Sequence, residues 1–377
     1  MMLNVGYLMG ALLFARWCET IPEAWFPFPG LHRGIFGLAM GVLLGGFLQL
    51  WLHVSAMGTH LRSPLGTPHI KLFPLSPELK KIFVLMAPML LAASSGQINV
   101  LINTNFATRL EEGAVSWLTF SFRILQLPIG IFAVAVASVC LPRMSRAYKK
   151  GDGEASKQNL VNELKDSLEL ILWLILPCFC FTACNSHAIV SLLFQHGNFS
   201  AYAVEKTATA LYIYNFSVIG YSLVKVLTPF YYVHEKTTFP MWVGFASIGL
   251  NFFFNSRLAP TYGHVGIAAT LSIVLSLNAL ILFLGTWKHG MRLTARDFVS
   301  PLWFLLTGSL CLWAQTTLLQ HVTPWTQSWQ LPLKVESFLF LSLNFCLTYG
   351  LFLLAAGLRF RKTPTQLWTQ FRPRPSR

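Results

Sequence analysis

One arginine stands where an arginine is expensive. Arg123 lies about ten residues into an apolar stretch, which at ~1.5 Å per residue puts it roughly 15 Å from the entrance, near the middle of a bilayer core ~30 Å thick. Insertion scales price a cation there at ~3 kcal/mol, so such an arginine normally faces a wet cavity or an anionic partner. The preceding stretch offers a polar stripe. Ser95, Asn99 and Asn103 recur every fourth residue and stack on one helix face, with Gln97 close by. On the second stretch Ser116, Thr119 and Arg123 share one side, and Pro128 with Gly130 opens the hydrogen-bond ladder beside them. A plainer role for Arg123 is to pin neighbouring helices through their carbonyls. The facing amides and the kink favour a ligand site.

These positions need long apolar elements to carry them, and the composition supplies them. Of 377 residues, 54% are apolar, 14% aromatic and only 11% charged, with a mean hydropathy of +0.55. A soluble protein carries about 25% charged residues, so the chain is expected to be an all-α polytopic membrane protein. The net charge of +14 does not indicate nucleic acid, because the basic residues form no single patch and no aromatics interleave with them. Cys178, Cys180 and Cys184 resemble a ligand cluster, yet no histidine or carboxylate shares their depth and they read as small packing residues. No metal site and no nucleophile with its base is expected, which excludes an enzyme.

Ten apolar segments are expected at about 3–17, 33–54, 84–110, 113–141, 167–194, 207–232, 238–256, 264–287, 300–319 and 335–358. Ten spans put both termini on one side. The loops on that side hold twenty lysines and arginines against six on the other, so both termini are expected in the cytoplasm. Residues 1–54 form one pair of spans, and 55–83, with four prolines, reads as a cytoplasmic linker. Residues 84–290 hold six spans, 291–362 two more, and 363–377 a basic cytoplasmic tail. Within 152–166, Leu160, Val161, Leu164 and Leu168 keep helical spacing among charges, as in a helix lying on the membrane surface. Met1 and Met2 run straight into the first span with no basic leader region, so no signal peptide is expected. His32-Arg33-Gly34-Ile35 opens the second span and His264-Val265-Gly266-Ile267 the eighth, each after a span carrying asparagine. Both pairs run out and back, the mark of parallel repeats. Spans three to eight would then be a complete lobe, and spans one and two the last pair of an equivalent one.

Several strings, in order along the chain, carry a resemblance. They include Leu3-Asn4-Val5-Gly6, Gly41-Val42-Leu43-Leu44-Gly45-Gly46, Gln97-Ile98-Asn99 through Asn103-Thr104, and Gly113-Ala114-Val115-Ser116-Trp117. Arg123 follows, then Leu127-Pro128-Ile129-Gly130, Leu141-Pro142-Arg143, Ser191 to Phe199, and Val224-Lys225-Val226-Leu227-Thr228-Pro229. From Leu3 into the tenth span the chain resembles the MurJ (MviN) lipid II flippases of the multidrug/oligosaccharidyl-lipid/polysaccharide exporter superfamily. The resemblance implies a two-lobed exporter fold with an incomplete first lobe, about four N-terminal helices being absent, and two additional helices forming a groove for a lipid tail. A late start codon, a split protein or a remnant would each account for that.

The resemblance further implies alternating-access export of an undecaprenyl-pyrophosphate-linked precursor across the bacterial inner membrane. Lipid II and membrane lipids are the implied partners, with a missing N-terminal segment or cell-wall synthesis proteins beside them. Arg123 matches a cavity arginine, and its planar fork suits a pyrophosphate; Gln97, Asn99, Ser116, Thr119 and Lys225 are the other substrate-binding candidates. Lys225, one turn before Pro229, fits either snorkelling to lipid phosphates or an inner gate. Some family members bind sodium through acidic residues, where this chain offers Asn103, Asn251, Asn255 and Thr270. A Na+ site there competes with plain helix packing, since losing carboxylates weakens a cation site. The alternatives to a lipid II flippase are a transporter of another polyprenyl-linked oligosaccharide and a truncated, non-transporting membrane scaffold.

Overall fold

The computed structural model describes residues 2–20, 33–61, 77–149, 153–197 and 199–288, with isolated positions between 339 and 350. Every regular element among them is helical. Helix α1 runs Met2–Met9, through a π-helical turn Gly10–Phe14, to Ala15–Thr20. It is followed by α2 Arg33–Leu61, α3 Pro77–Ala107, α4 Ala114–Lys149, α5 Glu154–Phe194, α6 Ala201–Val233 and α7 Thr238–Lys288. Helix α7 breaks at Gly263, where φ is +60°, and its two halves are the expected seventh and eighth spans. Among the described residues five stretches are long and apolar enough to cross a membrane: Phe36–Ser55, Ala114–Lys149, Glu154–Phe194, Ala201–Val233 and Thr238–Trp287. Eight of the ten expected segments thus correspond to described helices. The ninth lies outside the described residues, as does most of the tenth, from which Phe345 packs on Phe181 with ring centroids 4.9 Å apart.

The chain divides into two compact units, Met1–Ser76 and Pro77–Arg377; α2 runs on to Leu61 and α3 starts at Pro77, so both ends of the expected 55–83 linker are helical. In the first unit α1 and α2 run antiparallel, joined through glycine. A Cβ at Gly6 would stand 2.4 Å from the Gly41 carbonyl oxygen, one at Gly10 3.0 Å from the Gly41 Cα, and one at Gly37 2.3 Å from the Ala15 nitrogen. No side chain fits there, so the backbones touch, as small residues four apart allow.

In the second unit α6 is the hub, lying against α4, α5 and α7. Its core is aliphatic and aromatic, with Leu211, Val218, Leu227, Phe230 and Tyr231 wholly buried. Side chains tie α6 to neighbouring backbones: Asn215 donates to the Phe179 carbonyl at 2.6 Å, Ser121 to that of Thr207 at 2.8 Å, and Ser272 to that of Ile213 at 2.8 Å. In a medium without water these bonds satisfy groups that would otherwise cost several kcal/mol.

The stripe of Leu160, Val161, Leu164 and Leu168 differs from expectation. It is buried in protein as the first turns of α5, together with Cys140 and Met144 of α4, and is not laid on a membrane surface. An apolar stripe is satisfied equally by lipid or by protein. Here α4 continues to Lys149 and offers it a protein face, which the two-pronged Arg143–Glu163 contact (Nε to Oε2 3.1 Å, Nη2 to Oε1 3.3 Å) closes.

Candidate functional site

Helix α4 carries a row of exposed polar side chains. Its first turns bury Trp117, Leu118, Ser121, Ile124 and Leu125 and leave Ser116, Thr119 and Arg123 exposed on the other side. Gln126, which the sequence reading did not single out, continues that row one turn on. Its signal was present in the spacing of three from Arg123 and seven from Thr119. Thr119 turns its hydroxyl back onto the Val115 carbonyl at 2.7 Å. Arg123 has neither ion-pair nor hydrogen-bond partner among the described residues. Just beyond the row Pro128, which lacks an N–H, leads into a π-helical turn, Ile129–Ala133, so the backbone widens where the polar row ends.

The stripe on α3 faces elsewhere. Helices α3 and α4 barely touch, and α3 packs along the first half of α7, running parallel to it. Ser95 and Asn99 are buried there, and a Cβ at Gly244 would lie 2.9 Å from the Ser95 hydroxyl. Asn99 donates to Ser247 Oγ at 3.3 Å. Asn251 Nδ2 donates to Asn99 Oδ1 at 2.9 Å and to the Asn99 carbonyl at 3.3 Å. Asn255 Nδ2 donates to both Asn251 Oδ1 and Asn103 Oδ1 at 2.8 Å. The result is a buried amide ladder. Asn99, expected beside Arg123 on a ligand face, belongs to this ladder, while Gln97 is exposed on α3 away from it. Ser247 was missed, although 247, 251 and 255 repeat the spacing of 95, 99 and 103. Thr270 is buried in the second half of α7 and donates to the Gly266 carbonyl at 2.9 Å. Lys225 is half-buried on α6, its ammonium 5.3 Å from the centre of the Tyr221 ring.

A third cluster ties together the ends of α3, α4, α6 and the break in α7. Glu111, in the α3–α4 turn, accepts from Tyr202 Oη at 3.1 Å and Lys206 Nζ at 3.3 Å, and His264 Nδ1 lies 3.5 Å away. The Trp117 ring stands edge-on to those of His264 and Tyr202. Gly113 is required beside it, because its φ is +98° and a Cβ would meet the indole at 2.8 Å. Slight burial pushes the Glu111 carboxyl up. Hydrogen bonds from Lys206 and Tyr202, with the charges of Lys206 and His264, outweigh that and hold it below the usual carboxylate range. Among the described residues no group of histidine, cysteine and carboxylate side chains is arranged to hold a metal.

The profile of the family described as lipid II flippase MurJ matches residues 1–340. The chain is 30% identical over 307 residues to a probable lipid II flippase MurJ of Vibrio cholerae, covering 78% of this chain and 56% of that protein. It is 29% identical over 294 residues to the lipid II flippase MurJ of Burkholderia cenocepacia, covering 77% and 53%, and 35% identical over 286 residues to a probable one of Rhizobium meliloti, covering 74% and 51%. The chain therefore spans about half the length of the curated relatives it matches. A solved structure of a lipid II flippase MurJ in an inward closed conformation superposes with a TM-score of 0.65 at 20% identity, covering 93% of this chain and 65% of that one. That likeness gives the fold, and the profile match over most of the chain gives the kinship: this protein belongs to the lipid II flippase MurJ family.

Proposed function

We propose that this chain supplies the second lobe, with one helix pair of the first, of a lipid II flippase in the bacterial inner membrane, both termini facing the cytoplasm. The exposed row Ser116, Thr119, Arg123 and Gln126 is its headgroup-binding face. One observation carries this reading: Arg123 sits ten residues into a helix long and apolar enough to cross a membrane, exposed and, among the described residues, without an ion-pair or hydrogen-bond partner. A cation kept at that depth without an internal partner is explained by a ligand that brings the negative charge. A pyrophosphate offers oxygens for both prongs of the guanidinium, and the hydroxyls and amide of the same row suit the sugar beside it. The π-helical turn past Gln126 gives the helix a place to bend as the headgroup passes from one side to the other.

The test is binding and translocation of fluorescent lipid II by the full chain in proteoliposomes. Arg123→Ala is expected to lower binding about tenfold or more, the loss of a charged two-pronged contact. Arg123→Lys should recover only part, because an ammonium is a point charge. Unchanged binding in Arg123→Ala would remove that residue from the site. Binding by the wild type without translocation would favour the scaffold reading, for which the length relative to its relatives is the supporting fact.

A further inference from the structure

Kinship suggests a sodium ion between α3 and α7, and the donor set can be tested oxygen by oxygen. Asn99 Oδ1 and the Asn99 carbonyl already accept from Asn251, Asn251 Oδ1 and Asn103 Oδ1 already accept from Asn255, and the Thr270 hydroxyl is turned onto its own helix. Of these side-chain oxygens, Asn255 Oδ1 alone has no hydrogen-bond partner among the described residues. A hard cation collects about six oxygens, usually with carboxylates among them. Asn103, Asn251, Asn255 and Thr270 are all neutral, and Asn251, Asn255 and Thr270 are wholly buried, so a bound cation would be buried without a counter-charge. The residues do not fit the ion.

We infer that in this protein the amide donors of Asn251 and Asn255 do the joining that a cation would do, so that the α3–α7 contact is independent of sodium. The key atom is Asn255 Nδ2. It stands 2.8 Å from two side-chain oxygens, Asn103 Oδ1 and Asn251 Oδ1, and satisfies both. Asn255→Asp places an oxygen where that donor stood, so several oxygens converge with one negative charge and nothing positive between them. Such a cluster demands a cation or a proton. The wild-type chain is thus a salt-indifferent clamp one atom away from a salt-dependent one. This inference concerns the helix contact and stands whether or not the chain moves lipid II.

The experiment is thermal unfolding of the purified full chain in detergent, at pH 8 and fixed ionic strength, in sodium, potassium or choline chloride. The wild type is expected to unfold at the same temperature in all three. Asn255→Asp should unfold lower in choline and be restored by sodium, by more than about 3 °C. A saturable, sodium-specific rise in the wild type would overturn the inference, and so would an Asn255→Asp chain as stable as the wild type in every salt. If Asn255→Asp does not fold, the wild-type series decides alone, with Asn103→Asp at the ladder's half-exposed edge as the second variant.

Discussion

The two units hold their helices together by opposite chemistry written at the same spacing. Between α1 and α2 the contact is made by absence: Gly6 and Gly10 lie against Gly37, Gly41 and Gly45, and backbone meets backbone. Between α3 and α7 it is made by presence: Asn99 and Asn103 bond Asn251 and Asn255 through side chains. Both pairs repeat every fourth residue on both partners. In a bilayer, lipid tails are as apolar as leucine, so burial of apolar surface does not select one helix pair over another; close packing and directed hydrogen bonds do. The glycine seam gains dispersion contacts and tolerates no added atom. The amide seam gains a few directed bonds, each worth about 0.6 kcal/mol and at most ~1.7, and depends on donors meeting acceptors.

The sharpest way to break that contrast is Gly41→Leu. Its first added carbon would lie 2.4 Å from the Gly10 Cα, which has no side chain to swing away. Overpacking against backbone costs about 1–3 kcal/mol or more. Limited proteolysis of the full chain should show α1 and α2 losing protection while α5 to α7 keep theirs; equal loss in both would show that the units do not fold separately. Asn251→Leu comes next, removing two donated bonds and one accepted bond at the centre of the ladder. The expected loss is about 2 kcal/mol, read as a lower unfolding temperature. An unchanged temperature would mean that apolar packing carries the α3–α7 seam.

Smaller effects sharpen the picture further. The carboxyl of Glu111 is held below its ordinary range, so its stabilising contribution is present above the unfolded-state value near 4.5 and is lost as pH falls through the lowered folded value. It is a largely exposed group, so the contribution is within about 1 kcal/mol. Glu111→Gln should flatten the fall in unfolding temperature between neutral pH and the acid side, and an unaltered pH profile would remove the cluster as its source. Smallest of all for stability is Arg123→Ala, expected within about 0.5 kcal/mol because the side chain is exposed and has no partner among the described residues. A fold that needs Arg123 would argue for a helix pin and against a headgroup ligand.

Much of this was legible beforehand for physical reasons. Apolar length alone marks spans, so eight of the expected segments coincide with described helices, and ordered strings along the chain marked the family. The polar rows were legible too, because a helix puts every third or fourth residue on one face. Their partners were not. Closeness in sequence pairs Asn99 with Arg123, whereas its bonds go to Ser247 and Asn251, about 150 residues away. The stripe at Leu160 to Leu168 is ambiguous in the same way, since no pattern within one helix says whether protein or lipid covers it, and here protein does.

What the amino-acid order fixed by itself is therefore the set of faces: a glycine face on α1 and α2, an amide face on α3 and α7, and a face with a lone guanidinium on α4. What only the tertiary structure decided is which faces meet. Periodicity is a property of one helix and is encoded locally, whereas pairing is a property of space. The bond from Asn251 to Asn99 exists because α7 lies along α3, and Arg123 stays free because no described helix covers its side of α4.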